Sequence, residues 1–390
     1  MKSVFYVGYN VFPLGFAQTQ RELLIAKGLV ETGCKVTVLC RFGTHDDKDT
    51  NVQSGGVFES VHYKYCSGSA YRSNSFLKRN FYKSIGFVNE ISTIIKAKLN
   101  KELDAILITT NTFENVLIYT LLGKLINTQT IIDNTEYWTS VKRHSNVWGD
   151  YFYDKYSFRL ANKVIGISDF LLEKYKEKKD PSLLFKIPAV VDFSKFDNGL
   201  SKVDLGFKYF LFCGSGVYSP LIEFIIDSFD LLKDNNYHLI LVCSNGIKSD
   251  FDVIDAKIAS SKKANLIHLK SHLPYSELTE LYVSSVALLI PLRPTSQDTA
   301  RFPHKIGEYC ASKRPIITTN FGEIRNYFQN GVNAYVSEKY EVIDYAQAME
   351  QSIKDSDMTE SVAQESYKIG KANFDYKVWG QKLYDFIFNK

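Results

Sequence analysis

Short apolar runs alternate with longer segments of helical period along nearly the whole chain. "SVFYV" (3–7) reads as a strand. The segment after it, "QTQRELLIAKGLVETG" (18–33), puts Leu23, Ala26, Leu29 and Val30 on one helical stripe, with Gly33 where a helix would end. "KVTVLC" (35–40), "LDAILI" (103–108), "QTIIDN" (129–134) and "NKVIGIS" (162–168) continue the series. Strands that are apolar on both faces need cover on both faces, so this alternation predicts a parallel sheet between two helical layers.

The pattern pauses at "IPAVVDFSKFDNGLSKVD" (187–204), which has no period and reads as a linker. It then restarts with "KYFLFCG" (208–214), "YHLILVC" (237–243), "ANLIHL" (264–269), "VALLIP" (286–291) and "PIITT" (315–319). The expectation is an α/β chain of two tandem doubly wound Rossmann-like domains, 1–190 and 205–374, facing a central cleft. A last helical stretch, 375–390, is a candidate to pack back on the first domain. A length of 390 residues agrees with two cores rather than one.

Composition narrows the class. Hydrophobic residues at 45% and charged residues at 23% describe a globular protein, and 25 Tyr with 27 Phe favour aromatic cores. A net charge of +4 excludes a strongly basic nucleic-acid binder on bulk charge. The six cysteines form no C-x-x-C pair, so neither zinc nor a disulfide framework is expected. The first residues carry no cleavage-site pattern, and no apolar run approaches a membrane span. The chain is therefore expected to be cytoplasmic.

In doubly wound sheets ligands bind beyond the carboxyl ends of the strands, which nominates the loops there. "RFPHKIGEYCASKRP" (301–315) follows one such loop. Phe302, Ile306, Tyr309 and Cys310 fall on one side of a helix, Lys305 and Glu308 on another. A helix start with Arg301 and Lys305 suits a phosphate, and Glu308 can accept from sugar hydroxyls; the same pair is also ordinary surface decoration. Gly15 and Phe16 follow the first strand, and Gly214, Ser215 and Gly216 the first strand of the second series. These glycines allow close approach to a phosphate or simply make turns. Asp133 and Glu136 end a strand, as base or hydroxyl binder, or as turn and helix-start acids. In Asp250-x-Asp252, Asp250 reads as a helix N-cap rather than the pair as a metal motif, and no metal site is expected.

Residues 60–101 stand apart, with eight Lys and Arg against one acid, Glu90, interleaved with Tyr and Phe. That composition suits an anionic membrane face better than RNA, or else a solvated helix over core aromatics.

These residues carry a resemblance. "FPHKIGEYCASKRPIITTNFGEIRNYFQNGVNAYV" (302–336), "ANKVIGISDFLLEKY" (161–175) and "IPAVVDFSKF" (187–196) together resemble the retaining glycosyltransferases of family 4, which have the GT-B fold. The resemblance implies metal-independent transfer from a nucleotide-diphosphate sugar of UDP or GDP type, with no cofactor, to a glycan or lipid-linked acceptor. Surface polysaccharide or glycoconjugate assembly would be the setting, peripheral on the inner membrane face. It assigns the donor to the second domain and the acceptor to the first. Donor binding would fall to Gly15, Phe16, Gly214, Ser215, Gly216, Arg301, Phe302, Pro303, Lys305, Glu308, Gly322 and Glu323, with Asp133 and Glu136 as catalytic candidates. Three positions depart from the family pattern. Ala300 replaces the first Glu of a Glu-x7-Glu pair, leaving sugar recognition to Asp298 or the backbone. "GSGVYSPL" lacks the phosphate-loop cations, so Lys305, Arg301 or Arg293 would supply the charge. Lys313-Arg314 stands where a glycine is usual. A nucleotide-sugar 2-epimerase of the same fold, or a non-catalytic sugar-nucleotide-binding assembly partner, are the competing readings.

Overall fold

The computed structural model describes residues 1–8, 10–15, 17–46, 51–141 and 146–389. The chain divides into two compact units, Met1–Val190 with Tyr376–Lys390, and Val191–Asp375.

The first unit holds strands β1 (Ser3–Gly8), β2 (Lys35–Cys40), β3 (Gly55–Phe58), β4 (Val61–Tyr65), β5 (Ala105–Thr109), β6 (Gln129–Asn134), β7 (Lys163–Gly166) and β8 (Leu184–Lys186). They form one sheet in the order β3-β4-β2-β1-β5-β6-β7-β8. The ladder is parallel apart from the antiparallel β3–β4 pair. Helices α1 (Ala17–Glu31), α2 (Phe76–Leu99), α3 (Phe113–Leu125), α4 (Val147–Leu160) and α5 (Asp169–Lys176) connect them. Alternate residues of β1 serve two cores. Val4 and Tyr6 pack with Leu23 and Leu29 of α1, while Phe5 and Val7 pack with Ile94, Val116 and Tyr153 of α2, α3 and α4.

The last helix belongs to this unit; numbered in chain order it is α15 (Tyr376–Phe388). It crosses α1 backbone to backbone: a Cβ on Gly28 would sit 3.2 Å from the Gly380 Cα. Gln129 Nε2 and Lys163 Nζ donate to the Ile387 carbonyl at 2.8 and 3.1 Å, satisfying an acceptor that a helix end leaves open.

The second unit holds β9 (Lys208–Ser215), β10 (Tyr237–Ser244), β11 (Ile267–Lys270), β12 (Ala287–Ile290), β13 (Ile316–Thr319) and β14 (Tyr335–Ser337). They run in the order β11-β10-β9-β12-β13-β14, all parallel. Its helices are α6 (Ser194–Asp197), α7 (Ser219–Asp230), α8 (Lys248–Ser260), α9 (Tyr275–Ser284), α10 (Ser296–Ala300), α11 (Lys305–Ala311), α12 (Ile324–Tyr327), α13 (Val342–Lys354) and α14 (Ser356–Phe374).

Three expectations change. The stretch read as a linker buries Ile187, Ala189, Val190, Val191 and Phe193 and contains α6, so its lack of period reflects irregular but buried chain. Residues 60–101 are not one basic, aromatic surface: β4 buries Tyr63 and Tyr65 in the core, as the reading with core aromatics has it. Asp250 is not the cap of α8 but lies in its first turn, where its carboxylate accepts from the Ile247 N–H at 3.1 Å.

One polar feature should make the stability of the second unit depend on pH. His238 Nδ1 and His268 Nε2 lie 2.8 Å apart, and Phe207 stacks on both rings with centroids at 3.9 and 5.0 Å. Burial lowers the pKa of both, and for His268 the charges of His238 and Lys270 act in the same sense. A histidine lowered on folding contributes stability above its unfolded pKa of about 6.5, and that contribution fades as pH falls toward the folded value. The melting temperature of the wild type is therefore expected to drop more between about pH 7.5 and about pH 5, either side of the ordinary histidine pKa, than that of His268→Gln. Equal drops would remove the pair from the account.

Candidate functional site

The strand order of the second unit reverses direction between β9 and β12, the point where doubly wound sheets leave room for a ligand at their carboxyl ends. Arg293 lies on the loop leaving β12. Its Nε and Nη2 donate to Asp298 Oδ2 and Oδ1 at 2.8 and 2.9 Å, and its backbone N–H donates to Oδ2 at 2.9 Å. Arg301 Nη2 reaches the same carboxylate at 2.8 Å, and Arg301 Nη1 donates to Tyr218 Oη at 2.6 Å. Both guanidinium groups sit over the Tyr218 ring, at 5.3 and 4.5 Å. Burial would raise the pKa of Asp298, but the Arg293 hydrogen bond and both arginine charges outweigh it and hold the carboxyl below its ordinary value. The group therefore has two cations around one fully buried anion.

Lys305 and Glu308 stand one turn apart on α11, their charged ends 3.6 Å apart. Tyr275 Oη of α9 donates to Glu308 Oε1 at 3.0 Å. Burial and then the Glu308 charge raise the Tyr275 pKa, so it stays a neutral donor. Burial would lower the Lys305 pKa, but the charge of Glu308 and contact with Cys213 outweigh it, so the ammonium is retained. Ile306, Tyr309 and Cys310 fill the other side of the helix as buried residues, which is what orients the charged pair. Because α11 is seven residues long, the local positive charge comes mainly from Lys305 and the arginines rather than from its end.

Two buried atoms here have no hydrogen bond among the described residues: Arg301 Nε, and Glu308 Oε2, whose nearest partner is the Lys305 ammonium of the 3.6 Å ion pair. A buried donor left without a partner, such as Arg301 Nε, costs about 1–3 kcal/mol and more when charged, whereas Glu308 keeps its charge partner and only lacks a hydrogen bond on Oε2. One is a cationic donor suited to an anionic oxygen, the other an anionic acceptor suited to a hydroxyl.

Several of the residues expected to contact a donor also have local structural roles. Ser215 Oγ donates to the Asn245 carbonyl at 2.9 Å and accepts from the Val217 N–H, so its hydroxyl is engaged locally. Gly214 abuts the Phe212 ring, and Gly216 lies against Phe251 and Gly246, giving both a packing reason. Phe302 is a core residue stacked on Tyr327 and tilted against Phe374, each ring centroid 5.5 Å away. Pro303 is half-buried and accepts from the Ile306 N–H in the turn entering α11. Gly322 has φ of 55°, and a Cβ there would lie 2.9 Å from the Asp298 carbonyl, so only glycine fits against α10. Glu323 is buried beside it and accepts from Asn326 Nδ2 at 3.2 Å. Asp298, offered as a sugar-recognition group, is consumed by its arginines. Lys313 adopts φ of 55°, the left-handed turn a glycine would take more readily.

In the first unit, Asp133 is sealed. Arg21 Nε and Nη2 each donate to it at 2.9 Å, and both side chains are 1% exposed. Arg21 also donates to the carbonyls of Pro188 and Ile187 at 2.7 and 2.9 Å. Asp133 is thus an anchor tying β6 to α1 and residues 187–188, not an acid open to substrate. Glu136 is partly buried in the loop after β6. Gly15 has no room for a side chain because Thr19 Oγ1 and the Val11 carbonyl occupy the space, so it packs against the first turn of α1. Phe16 lies outside the described residues. Arg293, Tyr218 and Tyr275 enter the site from separate loops and helices; the sequence flagged Arg293 by its charge alone and offered no signal for the two tyrosines.

Both units carry the doubly wound, Rossmann-like architecture, and that fold recurs among solved glycosyltransferases. A glycosyltransferase from Rickettsia africae aligns with a TM-score of 0.71 at 18% identity, covering 100% of this chain and 99% of that one. A sucrose-phosphate synthase from Thermosynechococcus elongatus gives 0.74 at 11%, covering 99% and 98%. Anabaena HepE, solved with UDP and glucose, gives 0.71 at 14%, covering 100% of both chains. Residues 196–369 match the family described as glycosyl transferases group 1. That segment contains every residue of the second-unit site. No curated protein matches the sequence.

Proposed function

We propose that this protein is a glycosyltransferase that binds a nucleotide-diphosphate sugar, UDP or GDP type, on its second unit. The single observation that carries the reading is Arg301 Nε, buried without a hydrogen-bond partner beside the Lys305–Glu308 ion pair in the group 1 segment. A diphosphate supplies anionic oxygens for Arg301 and Lys305, and a ribose hydroxyl can donate to Glu308. The finer reading is transfer with retention to a glycan or lipid-linked acceptor met by the first unit, in surface polysaccharide or glycoconjugate assembly. It includes metal independence, since side-chain cations can meet the diphosphate charge. Structures of HepE with UDP-glucose and of a trehalose-6-phosphate protein from E. coli with UDP-2-fluoro glucose support the donor class for this fold.

A thermal-shift screen with UDP, GDP and their sugar conjugates, in the presence of EDTA, tests it. A ligand at 100 times its dissociation constant stabilises by about 2.7 kcal/mol. One diphosphate nucleotide is expected to raise the melting temperature of the wild type but not of Glu308→Ala. No shift with any of them would overturn donor binding, and a shift only without EDTA would overturn metal independence.

A further inference from the structure

Tyr218 ends the turn that follows β9, while Arg293, Asp298 and Arg301 stand on the segment that follows β12. β9 and β12 are neighbours in the sheet, so the two segments meet at its carboxyl edge. What each polar atom there has left to give or accept can be counted.

Asp298 has no capacity left. Its Oδ2 accepts from the Arg293 backbone N–H and Nε, and its Oδ1 from Arg293 Nη2 and Arg301 Nη2. Those donors fill the roughly four acceptor sites of a carboxylate. Tyr218 Oη accepts from Arg301 Nη1 at 2.6 Å, so its own proton is left to be donated. Among the described residues nothing accepts that proton. Arg301 Nε is a second donor of the cluster without an acceptor. Within the cluster two guanidinium groups surround one carboxylate, which leaves one positive charge unmatched. Surplus donors and a surplus positive charge select an anion that brings several acceptor oxygens.

The ring and the hydroxyl of Tyr218 have separable roles. The ring carries both guanidinium groups, with Arg301 at 4.5 Å and Arg293 at 5.3 Å from its centroid, and a phenylalanine would do the same. Arg301 is thus held by Asp298 and by that ring, and packing leaves the hydroxyl without an assigned role. A hydroxyl that accepts from a cation is polarised toward donating. The loop itself, "GSGVYSPL", has no Lys or Arg, and its Ser215 is engaged locally. Tyr218 is the side chain this loop sends to the arginines.

We propose that Tyr218 is a phosphate-binding residue, its hydroxyl donating to the diphosphate that Arg301 Nε meets. The identity of that diphosphate as part of a nucleotide rests on the donor reading above. The test is titration calorimetry of the full chain with UDP, GDP, uridine, guanosine and inorganic pyrophosphate. Tyr218→Phe is expected to bind the diphosphate nucleotide and pyrophosphate about tenfold or more weakly. Nucleoside affinity and melting temperature are expected to stay unchanged, because the ring remains. Tyr218→p-aminophenylalanine restores a donor but is a poor acceptor for Arg301, and is expected to recover most of the binding.

Equal binding of the diphosphates by wild type and Tyr218→Phe overturns the proposal. So does an equal loss for the nucleoside, which would mean a distorted site. Failure of the amine to recover binding overturns it as well, because the hydroxyl would then serve only as a prop for Arg301. If the wild type binds pyrophosphate through Tyr218 but neither UDP nor GDP, the donor reading falls and this one stands. If it binds no diphosphate at all, both fall.

Discussion

Asp133→Ala is expected to destabilise the first unit by about 3–5 kcal/mol, the usual cost of leaving one member of a buried ion pair uncompensated. Arg21 would keep its bonds to the Pro188 and Ile187 carbonyls but lose both bonds to Asp133. Denaturant unfolding followed by tryptophan fluorescence reads this directly. Asp133→Asn should recover part of the loss, because an amide oxygen can still accept from the guanidinium. Replacing both partners, Arg21→Met with Asp133→Leu, should cost less than Asp133→Ala if charge is the issue. It will not reach wild type, because the two carbonyls lose their donor. If Asp133→Ala folds with wild-type stability but abolishes transfer, the anchor assignment is wrong and the acid belongs to the chemistry.

Lys305→Ala should weaken binding of a nucleoside diphosphate far more than of the free nucleoside. A hydrogen bond to a charged group contributes about 1.5–3 kcal/mol, or roughly 10- to 150-fold in dissociation constant. Removing Lys305 also leaves Glu308 without its cation 3.6 Å away, which adds repulsion toward an anionic ligand. Titration calorimetry with the diphosphate and the nucleoside separates the two effects. An equal loss for both ligands would mean that Lys305 shapes the site rather than meeting the phosphates. No loss for either would move the phosphate contact to Arg301.

The sheets were legible because their strands are short, apolar on both sides and set between helical periods. "KVTVLC" and "QTIIDN" coincide with β2 and β6. The hairpin β3–β4 was not, since Gly55 and Gly56 carry no side chains and Val57 is exposed, which leaves β3 without an apolar pattern. The Lys305–Glu308 pair was legible as an i, i+3 spacing opposite an apolar stripe. Its meaning was not, because Tyr275 arrives from 33 residues away.

Asp133 shows the limit most clearly. A carboxylate at a strand end looks the same in the sequence whether it faces solvent or an arginine 112 residues earlier. Local alternation, turn glycines and helical stripes are short-range properties of the chain, so the amino-acid sequence by itself determined two α/β sheets in tandem, their parallel sense and the loops at their carboxyl ends. Pairing of distant charges is decided by which loops the strand order brings together. Only the tertiary structure could therefore assign Asp298 to two arginines, bury Asp133 under Arg21, bring Tyr275 to Glu308 and leave Arg301 Nε without a hydrogen bond.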